Sequence, residues 1–187
     1  ALNEAFVRQF YSNKQGLGIV TDKGLFLMSN NYKITAKYGQ EEGLKTSNFN
    51  YLSEDEHENG VFWIATKGKG LIRWNTKTDK KQFFGQEQSL SNENLYAVYE
   101  DDYGFLWLPS DYGLNRFNKN TLRDNEVYLP QNGIAHEEFN TFAHHQAADG
   151  TLYFGGLNGV TKFHPKDFQQ QETTSIPLFL TVAKVFP

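Results

Sequence analysis

The sequence predicts an all-β chain made of β-propeller blades, each a meander of four antiparallel strands, with about four blades present. Three observations carry this. Aromatic residues make up 16% of the 187 residues, with sixteen Phe and ten Tyr, and long Ala/Leu/Glu/Lys runs are missing, a balance that favours strands and turns. A Gly-Leu or Gly-Val pair recurs at Gly24-Leu25, Gly70-Leu71, Gly113-Leu114 and Gly159-Val160, 43 to 46 residues apart. That spacing suits a four-stranded blade, and the segments lack the 3.6-residue periodicity of helical repeats of similar length.

The best-kept copy runs from Leu95 to Leu129. Leu95–Tyr99 reads as the innermost strand, Tyr103-Gly104 as the first turn, Phe105–Leu108 as the second strand and Asp111-Tyr112-Gly113 as the second turn. A third strand starts at Leu114-Asn-Arg-Phe117, and the outermost follows around 124–129. Asn59-Gly60 and Asp149-Gly150 occupy the first-turn position in neighbouring copies, where a positive φ favours Asn, Asp and Gly. Pro109 cannot donate to a ladder, so it belongs at a strand end or a bulge.

Laid on this copy at an offset of 89, the first copy places Thr21-Asp22 on Ser110-Asp111 and Gly18 in the slot of Trp107. Losing an indole there predicts a less well packed outer layer in the first blade. The segments Gly43-Leu44 to Phe49, Ser89-Leu90 to Leu95 and Gly133-Ile134 to Phe139 read as crossings from the rim of one blade to the centre of the next. In each, the aliphatic residue plugs the gap between blades. The expected limits are 1–42, 43–88, 89–131 and 132–168 for blades one to four. A polar linker and the first strand of a following β-sandwich are expected in 169–187.

The net charge of −4 and a pI near 5.7, with no Lys/Arg cluster longer than two, argue against nucleic acid as a partner. Without Cys there are no disulfides or thiolate metal sites. No apolar run approaches the roughly 18 residues of a membrane span. The start resembles no signal peptide and falls in register with a repeat, as expected of a piece of a longer protein.

Leu106-Trp-Leu-Pro-Ser-Asp-Tyr-Gly-Leu-Asn-Arg-Phe-Asn118, Phe62-Trp-Ile-Ala-Thr-Lys-Gly-Lys-Gly-Leu-Ile-Arg-Trp-Asn75 and Leu152-Tyr-Phe-Gly-Gly-Leu-Asn-Gly-Val-Thr-Lys-Phe-His-Pro165 resemble the two-component-regulator propeller repeat. That repeat builds the periplasmic sensor region of bacterial hybrid histidine kinases and some membrane-bound diguanylate cyclases. Glu138-Phe139-Asn140, followed by Asp149-Gly150 to Gly156, is similar to that family's last blade, and Ile176–Phe186 to the first strand of the immunoglobulin-like domain that follows. The resemblance implies a periplasmic, non-catalytic sensing segment of an inner-membrane receptor, with an oligosaccharide as the implied ligand class. The rest of the propeller, the immunoglobulin-like domain and a second copy in a homodimer are the implied partners, and no cofactor is implied. The family usually carries two seven-bladed propellers, against about four blades here.

Trp63, Trp107 and Tyr153 could stack on sugars, but their equivalent places on the second strands mark them as inter-blade core. A propeller ligand more often meets the loops at one end of the channel. The crossings supply Asn48, Asn50, Asn92, Asn94, His136, Glu137 and Asn140 as candidates, and the second turns supply Lys67, Lys69, Asp111, Tyr112 and Asn158. Their side chains could pair with sugar hydroxyls or cap strand ends.

No metal is expected. Adjacent strand residues such as His144-His145 face opposite sides, and the acidic run Glu54–Glu58 lacks the spacing of a calcium loop and reads as a solvated hairpin tip. The series Asp102-x-Gly104-x-x-Trp107 resembles the Asp-box of sialidases, with Glu100 where that box has Ser or Thr. No nucleophile elbow or phosphate loop is present. A lectin-like or carbohydrate-processing propeller, and one used only for protein contacts, are the alternatives to a sensor.

Overall fold

The computed structural model describes residues 2–13, 16–169 and 181–183. They form four separate four-stranded antiparallel sheets, each a meander in which sequence neighbours pair. The first sheet is β1 (Val7–Asn13), β2 (Gly16–Thr21), β3 (Gly24–Met28) and β4 (Ile34–Tyr38). The second is β5 (Phe49–Glu54), β6 (Val61–Thr66), β7 (Leu71–Asn75) and β8 (Lys80–Phe84). The third is β9 (Tyr99–Glu100), β10 (Phe105–Pro109), β11 (Leu114–Asn118) and β12 (Arg123–Tyr128). The fourth is β13 (Phe139–Gln146), β14 (Leu152–Gly156), β15 (Gly159–Phe163) and β16 (Thr181–Ala183). Each sheet is the four-stranded antiparallel meander expected of a propeller blade, and no helix among the described residues is long and apolar enough to cross a membrane.

The chain divides into two compact units. One is Ala1–Gly85 with Glu93–Val98, the other Gln86–Asn92 with Tyr99–Pro187. In the first, Val20, Leu25, Leu44, Phe49, Leu52, Ile64, Ile72 and Trp74 form one buried cluster to which both sheets contribute. Leu44 is the expected plug from the crossing and is fully buried within it. In the second, Trp107 lies between its own sheet and the fourth, with ring centroids 4.6 Å from Phe163 and 4.8 Å from Phe168.

The recurrent glycine has a steric cause. At Gly113, with φ +83°, an added Cβ would stand 2.7 Å from the Tyr128 carbonyl oxygen; at Gly70, with φ +67°, it would stand 2.0 Å from that of Phe84. The last residue of the outer strand lies against the first residue of the third-strand hairpin, and only a residue without a side chain fits. A hydroxyl just before each turn holds it shut: Thr21, Thr66 and Ser110 donate from Oγ to the carbonyls of Gly24, Gly70 and Gly113 at 2.7 to 2.8 Å. Pro109 ends β10 opposite Leu114, where the ladder asks little of its missing N–H.

Two expectations shift. The inner strand of the third sheet is Tyr99–Glu100 and not Leu95–Tyr99, because the Leu95 N–H is taken by the Thr66 carbonyl (3.0 Å) and its C=O by Asn50 Nδ2 (2.7 Å). The fourth sheet, which the sequence ended at 168, takes its outer strand from Thr181–Ala183. This strand pairs with Lys162, Thr161 and Val160 and so satisfies the outer ladder of β15. The expected linker at 169–175 and the remainder of the strand expected over 176–186 lie outside the described residues, apart from Gln169.

Candidate functional site

The indoles are structural anchors. Trp63 and Trp107 are 1% and 0% exposed, which removes both as sugar platforms, while Tyr153 is half-buried. Each indole N–H donates to a buried carboxylate: Trp63 to Asp55 Oδ2 and Trp107 to Asp101 Oδ2, both at 2.8 Å. The second oxygen of each carboxylate holds the first turn. Asp55 Oδ1 accepts from the N–H groups of His57 and Glu58, and Asp101 Oδ1 from those of Tyr103 and Phe105, at 2.9 to 3.0 Å.

Asp55, inside the run read as a solvated tip, is therefore buried at 4%, because its carboxylate is fully used by the hairpin. The residue that matters in the Asp-box-like series is Asp101; Asp102 is exposed. The sequence held a signal for this. An Asp stands before Gly-x-x-Trp in both copies that keep the indole, while the first copy has Ser12 with Gly18 and the fourth has Ala147 with Tyr153.

In the first unit the structure gathers five of the candidates. Lys67 N–H donates to the Asn48 carbonyl at 3.0 Å, and the N–H groups of Gly68 and Gly70 donate to the Glu93 carbonyl at 3.0 and 2.9 Å. These bonds stitch the turn bearing Lys67 and Lys69 to the segments bearing Asn48 and Asn94. Both lysines are exposed, and Asn48 and Asn94 are half-buried. Asn50 is 4% exposed and its amide is used inside the fold: Nδ2 holds the Leu95 carbonyl and Oδ1 accepts from Arg8.

Arg8, which nothing in the repeat pattern marks, also donates to the Phe49 carbonyl at 3.1 Å. Burial lowers its pKa, an effect that Asp22 partly offsets. Its contacts pin the first inner strand to the second.

The second unit holds the other seven. The β10–β11 turn carries Asp111 and Tyr112, whose ring is 47% exposed. Gly113 N–H donates to the Glu137 carbonyl at 2.6 Å and Phe139 N–H to the Ser110 carbonyl at 3.2 Å, so the crossing with His136 and Glu137 is bound to this turn. Opposite Phe139 in the ladder stands Gly156, two residues before exposed Asn158. His136 Nδ1 accepts from Glu138 N–H at 3.0 Å, which fixes the imidazole over its own loop. Asn140, on β13, is exposed. Asn92 is half-buried and sits next to Ser91, whose N–H is held by Asn115 Oδ1 at 2.9 Å.

His144 and His145 go to different partners. Tyr99 Oη lies 2.8 Å from His144 Nδ1, whereas the His145 ring lies near Tyr153. Burial pushes the His144 imidazole below its ordinary pKa. A second enclosed polar pair, Lys119 with Glu100, joins β9 to the end of the β10–β11 hairpin, both side chains being over 90% buried.

No protein-family profile matches the sequence. A curated relative, histidine kinase P4 of Formosa agariphila, is 29% identical over 160 residues, which is 83% of this chain and 12% of the relative. Among solved structures, the extracellular domain ascribed to the hybrid two-component system BT3049 of B. thetaiotaomicron superposes with a TM-score of 0.72 at 21% identity, covering 87% of this chain and 22% of that one. The corresponding domain of BT4673 gives 0.68 at 21%, covering 86% and 23%. PorZ, a surface component of the type-IX secretion system of Porphyromonas gingivalis, gives 0.63 at 14%, covering 90% and 26%. The chain thus spans about an eighth of the curated relative and about a quarter of these structures. The likeness its repeats implied holds: it has the blade fold of the extracellular domains of hybrid two-component systems and is similar in sequence to a histidine kinase.

Proposed function

We propose that this chain is part of a non-catalytic sensing propeller in the extracellular, periplasmic region of a membrane-bound two-component receptor. In this reading its blades recognise an oligosaccharide and pass a change of pose to the domain that follows. The likeness to extracellular domains of two-component systems supports the setting.

One observation carries the ligand class. An exposed aromatic residue, Tyr112, lies on a turn bound by backbone hydrogen bonds to a loop bearing His136 and Glu137, so two joined segments carry an apolar ring and hydrogen-bonding side chains. A pyranose presents the complementary pair of features, an apolar ring face and a rim of hydroxyls.

The test is a glycan array followed by calorimetry on the 187-residue chain. The expected result is binding of one oligosaccharide class without turnover, weakened about tenfold or more by Tyr112→Ala. Hydrolysis of the bound glycan would replace the sensor reading with a carbohydrate-processing one. A silent array together with self-association in light scattering would replace it with a protein-contact role.

A further inference from the structure

The two units contain the same inter-sheet seam in two states. Ladder register places Gly18 of β2 at the position of Trp107, and Tyr38, opposite Leu25, at the position of Tyr128, opposite Leu114. The repeat offset places Trp74 at the position of Phe163. In the second unit the seam is filled, the Trp107 ring lying 4.6 Å from Phe163 and 5.9 Å from Tyr128. In the first unit Trp74 and Tyr38 are in place, 4.8 Å apart, but Gly18 brings no side chain. A cavity of about 160 Å³ remains, lined by Gly18, Tyr38 and Trp74 with Leu25, Leu52 and Phe62.

The lining decides what could enter. Its walls are mostly rings and branched aliphatics, and three polar groups on its lining residues are already engaged. The Tyr11 hydroxyl donates to Glu54, the Trp74 indole N–H to Asp79 Oδ1 at 3.1 Å, and Thr76 Oγ1 to the Gly60 carbonyl at 2.9 Å. Few hydrogen-bonding groups are left on this lining for the many hydroxyls of a sugar, whereas the apolar walls suit a ring. An apolar cavity of roughly 150 Å³ holds benzene in an engineered protein. Gly18 itself leaves room: an added Cβ would meet nothing closer than 3.4 Å.

We propose that this seam is a binding site for a flat, uncharged aromatic molecule of one or two fused rings, benzene to indole in size, occupying the place of the side chain absent at Gly18. The site is separate from the saccharide site proposed above, which lies in the other unit, and neither depends on the other.

The test uses the 187-residue chain with indole and benzene as probes and glucose as a control, followed by methyl NMR shifts of Leu25 and Leu52 and by melting temperature. Saturable shifts at these methyls with either aromatic probe, a raised melting temperature and no response to glucose are expected. Gly18→Trp should raise the melting temperature on its own and abolish the response. Gly18→Leu, a smaller insertion that guards against misfolding of the Trp variant, should weaken binding by about tenfold or more. The proposal is overturned if neither probe moves these methyls up to its solubility limit, or if binding survives unchanged in Gly18→Leu.

Discussion

The Trp107 indole N–H donates to Asp101 Oδ2 at 2.8 Å, so a single carboxylate joins the first turn of the third sheet to the ring that fills the seam with the fourth. Trp63 and Asp55 repeat the arrangement, and a polar signature of this kind is tied to packing and not to catalysis.

Removing the ring and removing its partner should therefore differ in degree. Trp107→Ala deletes a fully buried indole and is expected to cost about 3–5 kcal/mol. Asp101→Ala strands the indole N–H and two backbone N–H groups and should cost about 1–3 kcal/mol. Urea titration measures both. Equal, near-zero shifts would disprove the anchor role.

At Gly113 the side-chain space is occupied by the Tyr128 carbonyl. Gly113→Ala should destabilise by more than about 1 kcal/mol, since it adds a clash to an unfavourable φ. Gly18→Ala, where φ is ordinary and the nearest atom is 3.4 Å away, is expected to be neutral or stabilising. Thermal melts of the two variants side by side decide it.

Lys119 and Glu100 form an ion pair in which both side chains are buried. Lys119→Met should cost about 3–5 kcal/mol by taking its cationic partner from a buried carboxylate. The double change Lys119→Met with Glu100→Leu should recover most of that loss, and a double-mutant cycle gives the coupling directly.

His144 links stability to pH. Burial lowers its pKa, so the unfolded chain, titrating near 6.5, binds the proton more readily than the folded one. Its contribution is fully present above about pH 6.5 and is lost as pH falls from there through the lower folded value. Melting temperature should drop between pH 7 and 5, and His144→Gln should reduce that drop.

Strands, turns and blade spacing were legible because period-2 patterning, positive-φ glycines and the paired Gly-Leu all act within one blade. Pro109 was readable for the same reason, and the crossing plug Leu44 because a small residue followed by an aliphatic one recurs in every crossing. Asp55 and Arg8 were not, since each earns its role from a partner that sequence distance conceals. Asp55 looks like any surface acid until Trp63 folds over it, and Arg8 finds the Asn50 side chain 42 positions away. Of the twelve candidate binders, Asn50 shows the hardest distinction. An amide suited to a sugar is equally suited to a backbone carbonyl, and only burial separates the two uses.

The three residues Thr181–Ala183 lie along β15 and occupy hydrogen-bonding groups that would otherwise face solvent as an open sheet edge. Trimming the chain at 169 would uncover that edge and offer it to strands of other molecules. A shortened version should therefore aggregate sooner than the full one, even though it loses none of the recognisable repeat.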